Sequence, residues 1–190
     1  MSKNTVSNVK EKGVELSFTI TLPHVSYANA IRRFGLGLIP TYAIDKVVVY
    51  ENGSAFFDEF VANRIGLVPI LSPEKSNDPV LFTLNAEGPM TVTSSMLETS
   101  NPNVTVANGK IPLIELEPKQ VVRIEGTAVK GLGRAHAKFQ PGIVAYEYTE
   151  DKVEEFNFTV ESFGQMSNSE IVLRAVKTIV SKCEELEKQV

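Results

Sequence analysis

Between Val80 and Tyr148 the chain carries six apolar runs, and none has helical periodicity. They read VLFTL, MTVTSS, VTV, IPLIEL, VVRIEGTAV and IVAYEY, separated by turn-forming residues, the pattern of consecutive short strands. Helix-bearing segments flank this region on both sides. An all-β stretch inside an α-containing frame predicts an α+β fold in which a discontinuous domain, residues 1–71 plus 149–190, encloses an inserted β-rich domain, residues 72–148. Ser72-Pro-Glu-Lys-Ser-Asn-Asp-Pro79, polar and bracketed by prolines, is the expected boundary.

The frame can be read element by element. Val14 to Leu22 (VELSFTITL) alternates apolar and polar residues, which predicts a strand with one buried face that Pro23 ends. Ser26 is placed to cap a helix reaching Leu38, with Tyr27, Ile31, Phe34 and Leu38 at helical spacing; Gly35 and Gly37 weaken its end and Pro40 stops it. Ile44–Tyr50 predicts a strand, Glu51–Ser54 a turn, and Asp58 a cap for a short helix over Glu59–Ile65. Phe156–Val160 alternates again, and Ser167-Asn-Ser-Glu170 reads as a capping box opening a final helix. On that helix Ile171, Ala175, Ile179, Cys183, Leu186 and Val190 form an apolar stripe, widened by Val172, Val176 and Val180. The stripe is broader than one helix needs to cover its own small domain.

Charge and cysteine content exclude several function classes. The 190 residues carry a formal net charge of −4, whereas a chain that grips nucleic acid alone is usually basic, so no direct DNA or RNA binding is expected. Cys183 is the only cysteine, so no intramolecular disulfide or thiolate cluster can form, and a reducing, cytoplasmic setting is expected. The start of the sequence is polar, and no apolar run approaches the length of a membrane span.

Lys130-Gly-Leu-Gly-Arg-Ala-His-Ala-Lys-Phe-Gln-Pro-Gly142 concentrates glycine, basic side chains and one of two histidines. A phosphate cradle needs a helix N-terminus behind the glycines, and a strand follows here instead. A catalytic His136 needs a nucleophile or carboxylate partner, and only Asp58-Glu59 offers one, better explained as a helix start. A glycine-rich hairpin between two strands of the β-rich domain accounts for the shape but not for the charge. His24, beside Pro23 at a strand end, fits a capping or surface role. Asn29-Ala-Ile-Arg-Arg33 puts two arginines side by side on a helix otherwise built to pack; a solvated face and a protein interface are both open readings.

These motifs resemble a known family, the D subunits of archaeal DNA-directed RNA polymerase. The resemblance rests on Asn29–Arg33, Ile39–Ile44, Val49–Ser54, Asp58–Ile70, the 130–142 loop, Phe158–Gly164 and the last helix, in that order. More distant relatives are the third-largest subunit of eukaryotic RNA polymerase II and the bacterial alpha subunit N-terminal domain. The resemblance implies a non-catalytic assembly subunit of a nucleotidyltransferase complex. It would pair with the small L subunit through the last helix (Ile171, Ala175, Ile179, Cys183, Leu186, Val190), dock on the second-largest subunit, and meet the small N and P subunits. Asn29, Arg32, Arg33 and Arg64, with Gly131, Gly133, Arg134, His136, Lys138 and Gln140, would face the large subunits. Many members carry a cysteine-ligated iron–sulfur insertion. Here Tyr148–Glu155 bridges that point and Thr83–Leu97 lacks cysteine, so neither cofactor nor metal is expected. A homodimeric binding module of the same fold outside transcription is the alternative, and a small enzyme using His136 and Asp58 a third reading.

Overall fold

A computed structural model describes residues 5–149 and 154–189. The chain forms two compact units, Met1–Ile39 with Leu132–Val190, and Pro40–Gly131.

The first unit holds strands β1 (Val6–Lys12), β2 (Glu15–Thr21), β9 (Gly142–Glu147) and β10 (Glu155–Ser162), and helices α1 (Val25–Gly37) and α3 (Asn168–Glu187). Its antiparallel sheet runs β1-β2-β10-β9. Alternation does what it should: Leu16 and Phe18 of β2 turn inward, opposite Val160 and Phe158 of β10. The Phe18 and Phe158 rings stack with centroids 5.2 Å apart. Helices α1 and α3 pack against each other, and this sheet and the helices share one core of Phe156, Phe158, Val160, Ala28, Ile171 and Ala175. Burying each of the larger side chains contributes about 1.5–3 kcal/mol.

Helix α1 is capped by His24, whose Nδ1 accepts the Ser26 N–H at 3.2 Å, so Ser26 lies within the first turn and is not the cap. Ser167 caps α3 by accepting the Glu170 N–H, as its capping box predicts. Strand β1 has no counterpart in the sequence reading. All seven of its residues are exposed, so no alternation marks it. Its backbone pairs with β2 as an edge strand, with a register shift between Ser7 and Lys10 where Asn8 takes a φ of 54°.

The second unit holds β3 (Pro40–Asn52), α2 (Asp58–Gly66), β4 (Val80–Glu87), β5 (Met90–Thr93), β6 (Glu98–Thr99), β7 (Pro112–Leu116) and β8 (Val121–Leu132), β8 ending one residue beyond it. One sheet runs β3-β8-β4-β6, and β5 pairs with β7. Strand β4 alternates buried and exposed without a break. Tyr42, Ile44, Val61, Ile65, Phe82 and Leu84 share its core.

That core moves the expected boundary. Residues 40–71 contribute Tyr42, Ile44, Val61, Ile65 and Ile70 to the β-rich unit, so it begins at Pro40, not at residue 72. The polar stretch 72–79 is no linker. The Tyr42 hydroxyl donates to the Asp78 carbonyl at 2.8 Å, the Tyr42 N–H donates to Ser72 Oγ, and Lys130 Nζ donates to the Pro73 and Glu74 carbonyls at 2.9 and 3.0 Å. At the other end, β9 pairs with β10 and so belongs to the first unit. The 130–142 segment therefore joins strands of different sheets and is not a hairpin of the β-rich domain. Two smaller corrections follow. Phe57, not Asp58, stands at the α2 N-cap, with no side-chain bond, and VTV forms only a single bridge, Val106 to Ile70. No helix among the described residues is long and apolar enough to cross a membrane.

Candidate protein-docking site

Within the first unit, α1 and the loop after β8 enclose an open groove of about 650 Å³. Its walls include Asn29, Ala30, Arg33 and Phe34 from α1, and Gly133, Arg134 and Gln140 from the loop. The structure thus joins two groups of expected docking residues that lie about a hundred positions apart in the sequence.

The join depends on glycine for space, not for turning. Neither Gly35 nor Gly133 has a positive φ. A Cβ on Gly133 would stand 2.6 Å from the Leu36 carbonyl oxygen and 3.2 Å from the Gly37 and Gln140 Cα atoms, and one on Gly35 would stand 2.8 Å from Val144 Cγ2. The close approach lets the Arg134 N–H donate to the Gly37 carbonyl at 3.1 Å, satisfying an orphan carbonyl of the last α1 turn.

The basic side chains divide by what they touch. Arg32 Nε and Nη2 donate to Asn29 Oδ1 at 3.2 and 2.9 Å, which lays Arg32 along its own helix and outside the groove lining. Arg33 is exposed, and both it and Arg134 line the groove. Lys138 Nζ sits 5.2 Å from the Phe139 ring centroid, over the ring. Gln140 Nε2 donates to the Gly142 carbonyl, and its own carbonyl accepts from Gln165.

His136 caps a 3₁₀ turn, Ala137–Phe139: its Nδ1 accepts the Lys138 N–H at 3.1 Å. His24 performs the same task on α1, with φ and ψ of −160° and 147° against −157° and 143° for His136. Both histidines of the chain are thus helix caps. Asp58 is likewise engaged locally, accepting from Asn52 Nδ2 at 2.7 Å. Each group of the enzyme reading is thus engaged in a local hydrogen bond.

Two expected docking residues belong to the second unit. Gly131 closes it on β8. Arg64 of α2 donates through Nη2 to the Pro112 carbonyl, and its Cζ lies 5.9 Å from the Phe60 centroid. Phe56, stacked on Phe60, and the neighbouring Phe57 are exposed beside it. The sequence reading missed this aromatic group, although Phe56-Phe57…Phe60 at i, i+1 and i+4 marks it.

The α3 stripe also divides. Ile171 and Ala175 are fully buried in the first unit's own core, so they have no surface left for a partner. Ile179 is half-buried at the core edge, and Cys183 and Leu186 are exposed; Val190 lies outside the described residues. The exposed flank continues through Leu173, Val176 and Val180, on one side of the helix at i, i+3 and i+7. Leu173, absent from the sequence reading, is reachable from that spacing. Every described residue from Val180 onward is exposed.

The RNA polymerase Rpb3/RpoA insert-domain family model matches residues 47–146. The DNA-directed RNA polymerase subunit Rpo3 of Methanocaldococcus jannaschii is 42% identical over 182 aligned positions covering 93% of each chain. The chain belongs to the Rpo3 family. Rpo3 of Halobacterium salinarum strain R1 is 35% identical over 230 positions, again 93% of each chain, and that of Pyrococcus furiosus is 39% identical over 75% of this chain and 58% of that one. The 230 positions exceed the 190 residues here, so at least 40 of them face gaps in this chain. Rpo3 relatives therefore occur both at this length and with substantial extra sequence. The iron–sulfur cluster that the resemblance raises does not fit this chain. Its one cysteine, Cys183, lies exposed on α3, and among the described residues no group of three or more His, Cys, Asp or Glu side chains could hold a metal.

Proposed function

We propose that this Rpo3-family chain is a non-catalytic assembly subunit of DNA-directed RNA polymerase, with catalysis residing in other subunits. The observation that carries the reading is the apolar flank of α3. Leu173, Val176, Val180 and Leu186 are 49%, 41%, 50% and 63% exposed, yet they continue a stripe whose other edge is core. A helix face that is half core and half bare is completed by a matching helix from a partner, here the small L subunit. The groove between α1 and the loop then seats on the second-largest subunit, and the N and P subunits join the same assembly. The aromatic group around Phe60 and Arg64 is a second contact of the same kind.

The test is co-expression of the tagged chain with L, followed by addition of the large subunits. Recovery of a one-to-one pair that then incorporates both large chains is the expected result. A symmetric homodimer that ignores L would refute the assembly reading and leave a binding module of the same fold.

A further inference from the structure

We infer that the groove between α1 and the loop receives an acidic, otherwise apolar segment of the second-largest subunit, and that Arg33 and Arg134 together read its carboxylates. The inference rests on the assembly reading above and adds the chemistry of the occupant.

Four observations on one site support it. First, the groove lining contains two guanidinium-bearing residues and no aspartate or glutamate, in a chain whose net charge is −4. Second, among the described residues neither guanidinium has an ion pair or hydrogen bond. The neighbouring basic groups are engaged within the chain instead: Arg32 on Asn29, and Lys138 over Phe139. Third, the rest of the lining is largely apolar, with Ala30, Phe34, Leu36 and Leu38 among its residues. Two cations in an apolar lining complement a segment with carboxylates and aliphatic or aromatic side chains; they repel a basic one and leave an uncharged one without ion pairs. Fourth, both arginines are held by backbone that cannot drift apart easily. Arg134 is bonded through its N–H to Gly37, one helical turn beyond Arg33. Guanidinium forks carried on backbone that is held together suit bidentate carboxylate contacts.

A photo-crosslinking amino acid at Ala30, in the groove lining, tests this in the reconstituted complex. The segment captured in the second-largest subunit is identified by mass spectrometry. The expected segment carries at least two Asp or Glu among apolar neighbours. Arg33→Glu with Arg134→Glu is expected to lower incorporation more than tenfold, while each single alanine variant lowers it on the order of tenfold or less. Lys10→Ala, exposed on the edge strand β1, leaves incorporation near wild type. Circular dichroism and L pairing of each variant serve as the folding control.

A captured segment without carboxylates, capture of a second copy of this chain, or unchanged incorporation of a folded double-reversal variant overturns the inference. In each of these cases the assembly reading survives as long as wild-type chain incorporates. Failure of wild-type chain to recruit the large subunits at all overturns the assembly reading, and this inference with it.

Discussion

Gly133→Ala probes the close approach between α1 and the loop after β8. The new Cβ would meet the Leu36 carbonyl oxygen at 2.6 Å, and ordinary contact begins near 3.4 Å, so loop and helix must separate by roughly 0.8 Å. All three nearest atoms are backbone, so no side chain can swing aside. Overpacking of this kind costs about 1–3 kcal/mol. Restricting the unfolded chain returns about 0.4–1 kcal/mol. The net loss of about 1–2 kcal/mol lowers Tm by about 2–8 °C for a chain of this size. Gly37→Ala is the internal comparison. It lies across the same contact, but its Cβ would find the Arg134 backbone nitrogen at 3.5 Å, which is ordinary contact. Alanine also gains up to about 1 kcal/mol in a helix, so Gly37→Ala leaves Tm unchanged or raises it. Calorimetry on both variants, with hydrogen exchange of the Arg134 amide, reads the difference. Faster exchange is expected in Gly133→Ala only. Equal Tm values for the two variants would refute the close-approach account of these glycines.

On α3, Val176→Asp with Val180→Asp is expected to leave the lone chain folded, since both sites are exposed, and to weaken pairing with L by about 3–5 kcal/mol as unpaired charge is buried. Size-exclusion chromatography and isothermal titration check this, and Ile171→Asp, at a fully buried site, should instead unfold the first unit. Lys130→Met removes three acceptor contacts, to Pro73, Glu74 and Asn77, and should expose residues 72–79 to limited proteolysis with a stability loss of about 1–3 kcal/mol. His136→Ala loses one cap bond and about 0.5–1 kcal/mol, with incorporation into polymerase retained; a folded variant that fails to incorporate would restore a contact role for that ring.

Strands β2 and β10 and the α3 cap were legible because each is written locally, as strict alternation or as Ser167 three residues before Glu170. Strand β1 was not, because an edge strand with both faces in water needs no apolar residue and is held by backbone pairing. The stretch 72–79 has the composition of a linker, and nothing in it announces that Lys130, more than fifty positions away, fastens it. At the docking groove, the residue types were legible and their division was not. Sequence marks Arg32, Arg33, Arg134 and Lys138 alike as basic, while the fold lays two against the chain and leaves two lining the groove.

The pairing of β2 with β10 has a consequence for how the chain is made. Leu16 lies opposite Val160, so the first unit cannot close until β10 has left the ribosome, whereas the second unit is contiguous and can fold earlier. Helix α3, which bears the exposed apolar flank, follows β10. A product terminated before β10 would therefore lack both the strand that closes the first unit and the exposed apolar flank of α3. The order of elements along the chain makes the exposed α3 flank the last surface to emerge during synthesis.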